Sequence, residues 1–236
     1  MIHARIMRAI IRPGIIIPVF FLSFSHNIAG QPSFPAARSM SLGKIRSVST
    51  SAKCNLQNPA LLGFIKNNYF SAGHARPFVI QELGITSLEG VVKASPGAFH
   101  FRTDSYGLKG YRIFSSELGF GMPLSEKISA GVSFHYSNIF TSDSWNYLWS
   151  LSPGAGIHYR ISSATSLALL LNNPFSPGNY TRHGPLLPSA LSIGVSHEIY
   201  LHTTLLAEIT HTTPGLLQVR TGLEYRLNGS VLLRTG

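Results

Sequence analysis

Between Ile128 and Tyr136 the chain alternates without a break. Ile128, Ala130, Val132, Phe134 and Tyr136 take one side of an extended backbone, and Ser129, Gly131, Ser133 and His135 take the other. Successive side chains of a strand point to opposite faces, so a period of two builds one apolar and one polar wall and excludes an amphipathic helix over the same residues. A longer stretch repeats the pattern. Tyr147, Trp149, Leu151, Pro153, Ala155, Ile157, Tyr159 and Ile161 share a face opposed by Ser150, Ser152, Gly154, Gly156, His158 and Arg160. Towards the end, Leu217, Val219, Thr221, Leu223 and Tyr225 alternate with Gln218, Arg220, Gly222, Glu224 and Arg226. Four charged or amide side chains on one wall are costly in a dry core but comfortable beside water, which makes Gln218, Arg220, Glu224 and Arg226 candidates for a wet lumen. Weaker alternation runs over Phe99 to Asp104, Phe114 to Phe120, Leu191 to Val195, Leu205 to Ile209 and Val231 to Thr235.

The N-terminus has a different character. Arg5, Arg8 and Arg12 precede the apolar run Ile15 to Phe24, which gives way to Asn27-Ile28-Ala29-Gly30-Gln31. Positive, apolar and then small is the layout of a secretory signal peptide, here residues 1–30, with cleavage expected near Ala29 or Gly30. The apolar run is about half of what a spanning helix needs, so an uncleaved anchor is the lesser reading. No later stretch is long and apolar enough to span as a helix. A mature chain in a membrane must therefore cross it as a closed barrel, because only helices and barrels satisfy every backbone donor and acceptor in lipid.

Turn signals divide residues 64–236 into about eleven strands, where bacterial barrels usually have an even number. Ser95-Pro96-Gly97, Met122 to Lys127, Ser162 to Thr165, Glu198 to His202 and Asn228-Gly229 are short connections. Ser137 to Trp145 and Asn172 to Pro188 are longer, although Gly107 to Gly110 and His211 to Gly215 are short on the same side. Outer-membrane barrels have short periplasmic turns and longer extracellular loops, so Asn172, Asn173, Tyr180 and Arg182 are candidates for an extracellular loop. Tyr136, Phe140, Trp145, Tyr147, Trp149, Tyr159 and Tyr225 lie near strand ends, as an interfacial girdle requires, though aromatics also simply favour strands. A secreted soluble β-sandwich, acting as an adhesion or binding module, predicts the same period of two and is the alternative fold.

Composition narrows the function. Charged residues make up only 12%, against 22 glycines and 14 prolines, which suits a turn-rich all-β chain. The net charge of +10 owes three positive charges to the leader, and the remaining basic residues are scattered singly. Nucleic-acid binding wants them clustered on a face, so acidic lipid headgroups or lipopolysaccharide are the expected partners. Cys54 is the sole cysteine, which excludes an intrachain disulfide and reads best as a small buried apolar residue. Ten histidines invite a metal or catalytic role, yet no His-Glu-x-x-His and no Gly-x-Ser-x-Gly occurs. His100, His135 and His158 fall on polar walls, and Ser133 with His135 is too weakly marked for a nucleophilic dyad. No enzyme activity, cofactor or metal is expected.

Residues 31–63 do not alternate. They contain Ala37-Arg38-Ser39-Met40-Ser41-Leu42-Gly43 and, further on, Asn58-Pro59-Ala60-Leu61-Leu62. Glu82-Leu83-Gly84, the hairpin Leu124 to Val132, Asn173-Pro174, and Thr221 to Arg226 leading to Leu233-Arg234-Thr235-Gly236 follow in order. This ordered set resembles the PorV/PorQ-type outer-membrane proteins of Bacteroidetes, relatives of the FadL-like transporters, over nearly all of the mature chain. The resemblance implies a barrel of about fourteen strands with the N-terminal segment tucked inside as a plug, so that Asn58, Pro59 and Ala60 sit in or under the lumen. It also implies an outer membrane of a Gram-negative bacterium, and either passage of hydrophobic small molecules or a part in type IX secretion alongside other secretion components. Two departures stand out. Lys44, Arg46 and Lys53 replace the acidic residues usual between the two N-terminal motifs, and Gly236 falls inside a strand without a terminal aromatic, as a truncated barrel would. The expectation is thus an all-β antiparallel transmembrane β-barrel, incomplete at its C-terminal side, with an N-terminal plug segment.

Overall fold

The computed structural model describes residues 37–48, 56–108, 110–141, 144–175, 188–200, 202–213, 215–227 and 231–236. The leader, Cys54, Tyr180 and Arg182 lie outside these residues. A short helix, α1 (Ala37–Ser41), and a 3-10 turn over Pro59–Phe64 precede the strands. The strands are β1 (Tyr69–Ala75), β2 (Ile85–Ala94), β3 (Gly97–Leu108), β4 (Tyr111–Pro123), β5 (Ile128–Thr141), β6 (Ser144–Arg160), β7 (Thr165–Asn172), β8 (Ala190–Tyr200), β9 (Thr203–Thr212), β10 (Leu216–Arg226) and β11 (Leu232–Thr235).

All eleven form one antiparallel sheet in sequence order, each strand paired with its neighbour in the chain. The described residues form no second sheet, so the two stacked layers of a sandwich are not what they build. The sheet is open, with β1 at one edge and β11 at the other. Strand count and alternation agree with the sequence pattern in β5, β6 and β10, but two boundaries differ. Strands begin at Tyr69 rather than near Phe64, because Pro59 and the capping Asn58 wind Pro59–Phe64 into a 3-10 turn. Ser137 to Trp145 is not a long loop. The alternation continues through buried Ile139 and exposed Phe140, and β5 pairs with β6 out to Thr141 and Ser144, past an irregularity between Ile139 and Thr141. Polar side chains at a hairpin tip mimic a loop in sequence while the backbone ladder carries on.

The two walls of the sheet are opposite in chemistry and in exposure. Phe99, Leu118, Val132, Phe134, Trp149, Leu151, Ile157, Ile193, Ile209 and Val219 are exposed, Phe134 at 55% and Trp149 at 67%. The other wall is covered and polar: Ser87, Glu89, His100, Arg102, Asp104, Ser115, Ser133, Ser137, Ser152, His158, Ser192, Glu208 and Glu224 are all buried. A water-soluble sheet buries its apolar side and solvates the polar one. Here the arrangement is reversed.

Candidate functional site

The covered wall meets the N-terminal segment, and the contact is built around three carboxylates, one on β2 and two on the consecutive strands β9 and β10. Glu89 of β2 accepts a 3.0 Å hydrogen bond from the backbone N–H of Leu56 and lies 3.0 Å from His100 Nε2 of β3. Glu208 of β9 is 1% exposed. Its Oε2 accepts from the backbone N–H of Arg46 at 2.8 Å, from that of Ser47 at 2.6 Å and from Ser47 Oγ at 2.7 Å. Its Oε1 accepts from Arg220 at 2.9 Å and from Thr210 at 3.2 Å. Glu224 of β10 pairs with Arg38 of α1 at 3.2 Å and with Arg234 of β11 at 2.7 Å. A buried carboxylate is tolerated when every lone pair finds a donor. Each of these three takes at least one donor from the segment that covers it and the rest from the sheet.

The seat for the segment is cut by glycines whose side of the strand is the polar one. A Cβ at Gly121 of β4 would come 2.1 Å from the Pro59 carbonyl oxygen, and one at Gly131 of β5 would come 2.4 Å from it. At Gly156 of β6 it would meet Asn58 Oδ1 at 1.9 Å, and at Gly194 of β8 it would meet Ser47 Oγ at 2.2 Å. Any side chain at these positions would lift the segment off the sheet. Asn58, fully buried, then stitches the two halves of the segment together. Its Nδ2 donates to the Ser47 carbonyl at 2.8 Å and to that of Leu169 in β7 at 3.4 Å, and its Oδ1 accepts from the Ala60 N–H at 3.0 Å, capping the 3-10 turn. Ser129 Oγ donates to the Ala60 carbonyl at 2.7 Å. Two small apolar clusters complete the seat: Leu42, Ile45 and Val48 against Ala168 and Leu206, and Leu56, Leu61 and Leu62 against Val91 and Ala98.

A second polar group sits beside this seat. Across β2 to β6 one register row reads Ser87, Asp104, Ser115, Ser137 and Ser150, and the next reads Glu89, Arg102, Glu117, His135 and Ser152. Arg102 donates through both Nε, at 2.9 Å, and Nη2, at 2.7 Å, to a single oxygen of Asp104, Oδ2.

Asn58, Pro59 and Ala60 thus come together with the polar wall, buried under β4 to β6. Gln218, Arg220 and Glu224 share the wall as well, Arg220 donating to Gln218 and to Glu208. Arg226 shares their parity but is exposed at the end of β10 and joins none of the contacts described above. Asn172 and Asn173 lie at the end of β7, where Asn173 has a positive φ of 50° and its N–H bonds the Pro153 carbonyl. Sequence reasoning missed Glu89, Glu208 and Ser47. The available signal was glycine: Gly131, Gly156 and Gly222 fall on the polar walls of alternating strands, where bulk is easily tolerated unless something approaches closely. Among the described residues no group of His, Cys, Asp or Glu is arranged to hold a metal ion, and no helix is long and apolar enough to cross a membrane. Comparison of the chain with protein-family models, with curated proteins and with solved structures finds no match.

Proposed function

We propose that this chain is an outer-membrane β-barrel protein of PorV/PorQ (FadL-like) type in a Gram-negative bacterium, with its N-terminal segment as a plug. The observation that carries the reading is the reversal of the two walls: apolar side chains exposed on one side of the sheet, charged and hydroxyl side chains buried on the other. An exposed apolar surface of this extent is a liability in water and a requirement in lipid. The reading needs the unpaired edges of β1 and β11 to be satisfied in the membrane, by each other or by further strands, since an open sheet edge is not tolerated in hydrocarbon.

Of the two roles that the resemblance implies, a docking role in secretion fits the covered wall better than passage of hydrophobic molecules. Among the described residues that wall carries Ser, Thr, His, Arg and Glu, and its apolar members Val91, Ala98, Ala168 and Leu206 are already packed against the N-terminal segment. The connection from Asn172 to Pro188 is then the surface for a secretion partner, with lipopolysaccharide and lipid around the apolar wall.

The test is cell fractionation followed by electrophoresis with and without heating. An outer-membrane barrel sediments with the envelope and shifts mobility on heating. Recovery in the periplasm or culture fluid with no heat-dependent shift overturns the proposal and favours a secreted binding module.

A further inference from the structure

The apolar wall is interrupted in one place. Strand order puts the β1–β2 and β3–β4 connections at the same end of the sheet as the long connection from Asn172 to Pro188. Toward that end the outward positions of β1 to β4 turn polar, Leu88 and Phe114 excepted. His74, Thr86 and Ser105 make one row across β1, β2 and β3, Thr103 and Ser116 make the next across β3 and β4, and Arg112 stands beyond them on β4. The row beneath, Phe101, Leu118 and Phe134, is apolar again and exposed. On β8 to β10 the outward positions toward the same end, Leu191, Ile193, Ile209, Leu217 and Val219, are exposed and apolar, with His211 alone among them. The polar group is therefore a local patch rather than a belt around the sheet.

Its polar atoms are turned outward and left open. Arg76 Nε donates to His74 Nε2 at 3.3 Å, which places the imidazole proton on Nδ1, 3.0 Å from Thr86 Oγ1. The two terminal nitrogens of Arg76, the guanidinium of Arg112 and the hydroxyls of Thr103, Ser105 and Ser116 have no hydrogen-bond partner among the described residues. None of the described outward residues of β1 to β5 is a carboxylate, and Glu82, exposed in the β1–β2 connection, pairs with neither arginine. Hydroxyls and cations on a wall that is elsewhere apolar are costly in a membrane unless polar partners reach them from outside.

The layout selects those partners. Along β3 and β4 toward the long-connection end come apolar side chains, then hydroxyls, then a guanidinium. An amphiphile lying against these strands meets acyl-chain, sugar and phosphate chemistry in that order. Guanidinium groups hold phosphate through two parallel donors, and hydroxyls exchange hydrogen bonds with a sugar ring. We propose that this patch binds the phosphorylated sugar headgroup of lipopolysaccharide, with Arg76 and Arg112 on phosphate, Thr103, Ser105 and Ser116 on the sugar, and the acyl chains along Phe101, Leu118 and Phe134. The inference rests on the membrane reading and gives its outer wall a specific lipid site.

The experiment titrates the full chain, folded in detergent, with diphosphoryl lipid A and with phosphatidic acid, which shares phosphate and acyl chains but has no sugar. Bound lipid is read by native mass spectrometry. Lipid A should bind about tenfold more tightly than phosphatidic acid, the worth of a few hydrogen bonds to the sugar. Arg76→Gln with Arg112→Gln should weaken both lipids about tenfold, through loss of charge-assisted bonds. Ser105→Ala with Ser116→Ala should weaken lipid A a few-fold, on the order of one or two neutral hydrogen bonds, and leave phosphatidic acid unchanged. Lys127→Gln, in the β4–β5 turn at the opposite end, should change neither. Equal affinity for the two lipids, no binding of either, wild-type lipid A affinity in the arginine or the serine variant, or an equal loss in Lys127→Gln overturns the proposal. Heat-dependent gel mobility on the same samples separates the two readings: a heat shift without preference for lipid A defeats the site alone, whereas no heat shift together with recovery in a soluble fraction defeats the membrane reading and the site with it.

Discussion

Glu208→Ala is the most informative single change, because one side chain holds two sets of donors. The substitution leaves the N–H groups of Arg46 and Ser47, the Ser47 hydroxyl and the Arg220 guanidinium without the carboxylate they share. Removing one partner of a buried ion pair costs about 3–5 kcal/mol. Arg220 keeps 18% of its side chain exposed, so water recovers part of the loss and the lower end, about 3 kcal/mol, is expected. Most of that falls on docking of residues 46 and 47, and about 3 kcal/mol shifts the docked-to-undocked ratio by more than a hundredfold. Glu208→Gln keeps one acceptor oxygen but loses the charge, and should cost about 1.5–3 kcal/mol. The assay is limited trypsin digestion of the folded protein, with cleavage after Lys44 and Arg46 followed by mass spectrometry. Cleavage should accelerate in the order wild type, Gln, Ala. Wild-type cleavage rates in both variants, with an unchanged urea midpoint, would refute the reasoning that this carboxylate clamps the segment.

Three further outcomes are expected. Gly121→Ala or Gly131→Ala, each driving a Cβ into the Pro59 carbonyl, should lower the urea midpoint by the equivalent of about 1–3 kcal/mol and speed tryptic cleavage after Lys66. Asn58→Ala removes the cap on Ala60 and the bonds to Ser47 and Leu169, and an unfolding titration should show a loss of about 1–2 kcal/mol. Leu118→Arg, on the apolar wall at 64% exposure, should cost about 2–4 kcal/mol in vesicles, against about 0–1 for Leu124→Arg in the β4–β5 turn. Near-zero values for both arginines would mean that this wall faces water.

Local pattern made the walls readable in advance. Ile128 to Tyr136 and Leu217 to Arg226 announced their faces because parity alone decides which side a strand residue takes, and Arg220 and Glu224 were placed on the polar wall by parity. What stayed hidden was long-range. Nothing near Glu208 in sequence indicates that its donors are Arg46 and Ser47, since the pairing depends on how the segment crosses the sheet. The stretch from Ser137 to Trp145 misled for a local reason, its polar residues belonging to a strand tip whose ladder continues. Asp104 was seen only as the end of a weak alternation, and its half-satisfied carboxylate is a property of Arg102's aim rather than of residue type.

The neighbour-to-neighbour strand order sets a schedule for how the molecule assembles. Each hairpin can close as soon as its own residues are available, so the sheet can zip up from short-range contacts, which are the fast ones. The N-terminal segment finds two of its three carboxylate clamps, Glu208 and Glu224, only when β9 and β10 have joined the sheet. It must therefore wait as an unsatisfied guest through most of sheet formation and seat itself at the finish. Variants that weaken its clamps should accordingly leave the rate of hairpin formation alone and slow or abolish only the final consolidation.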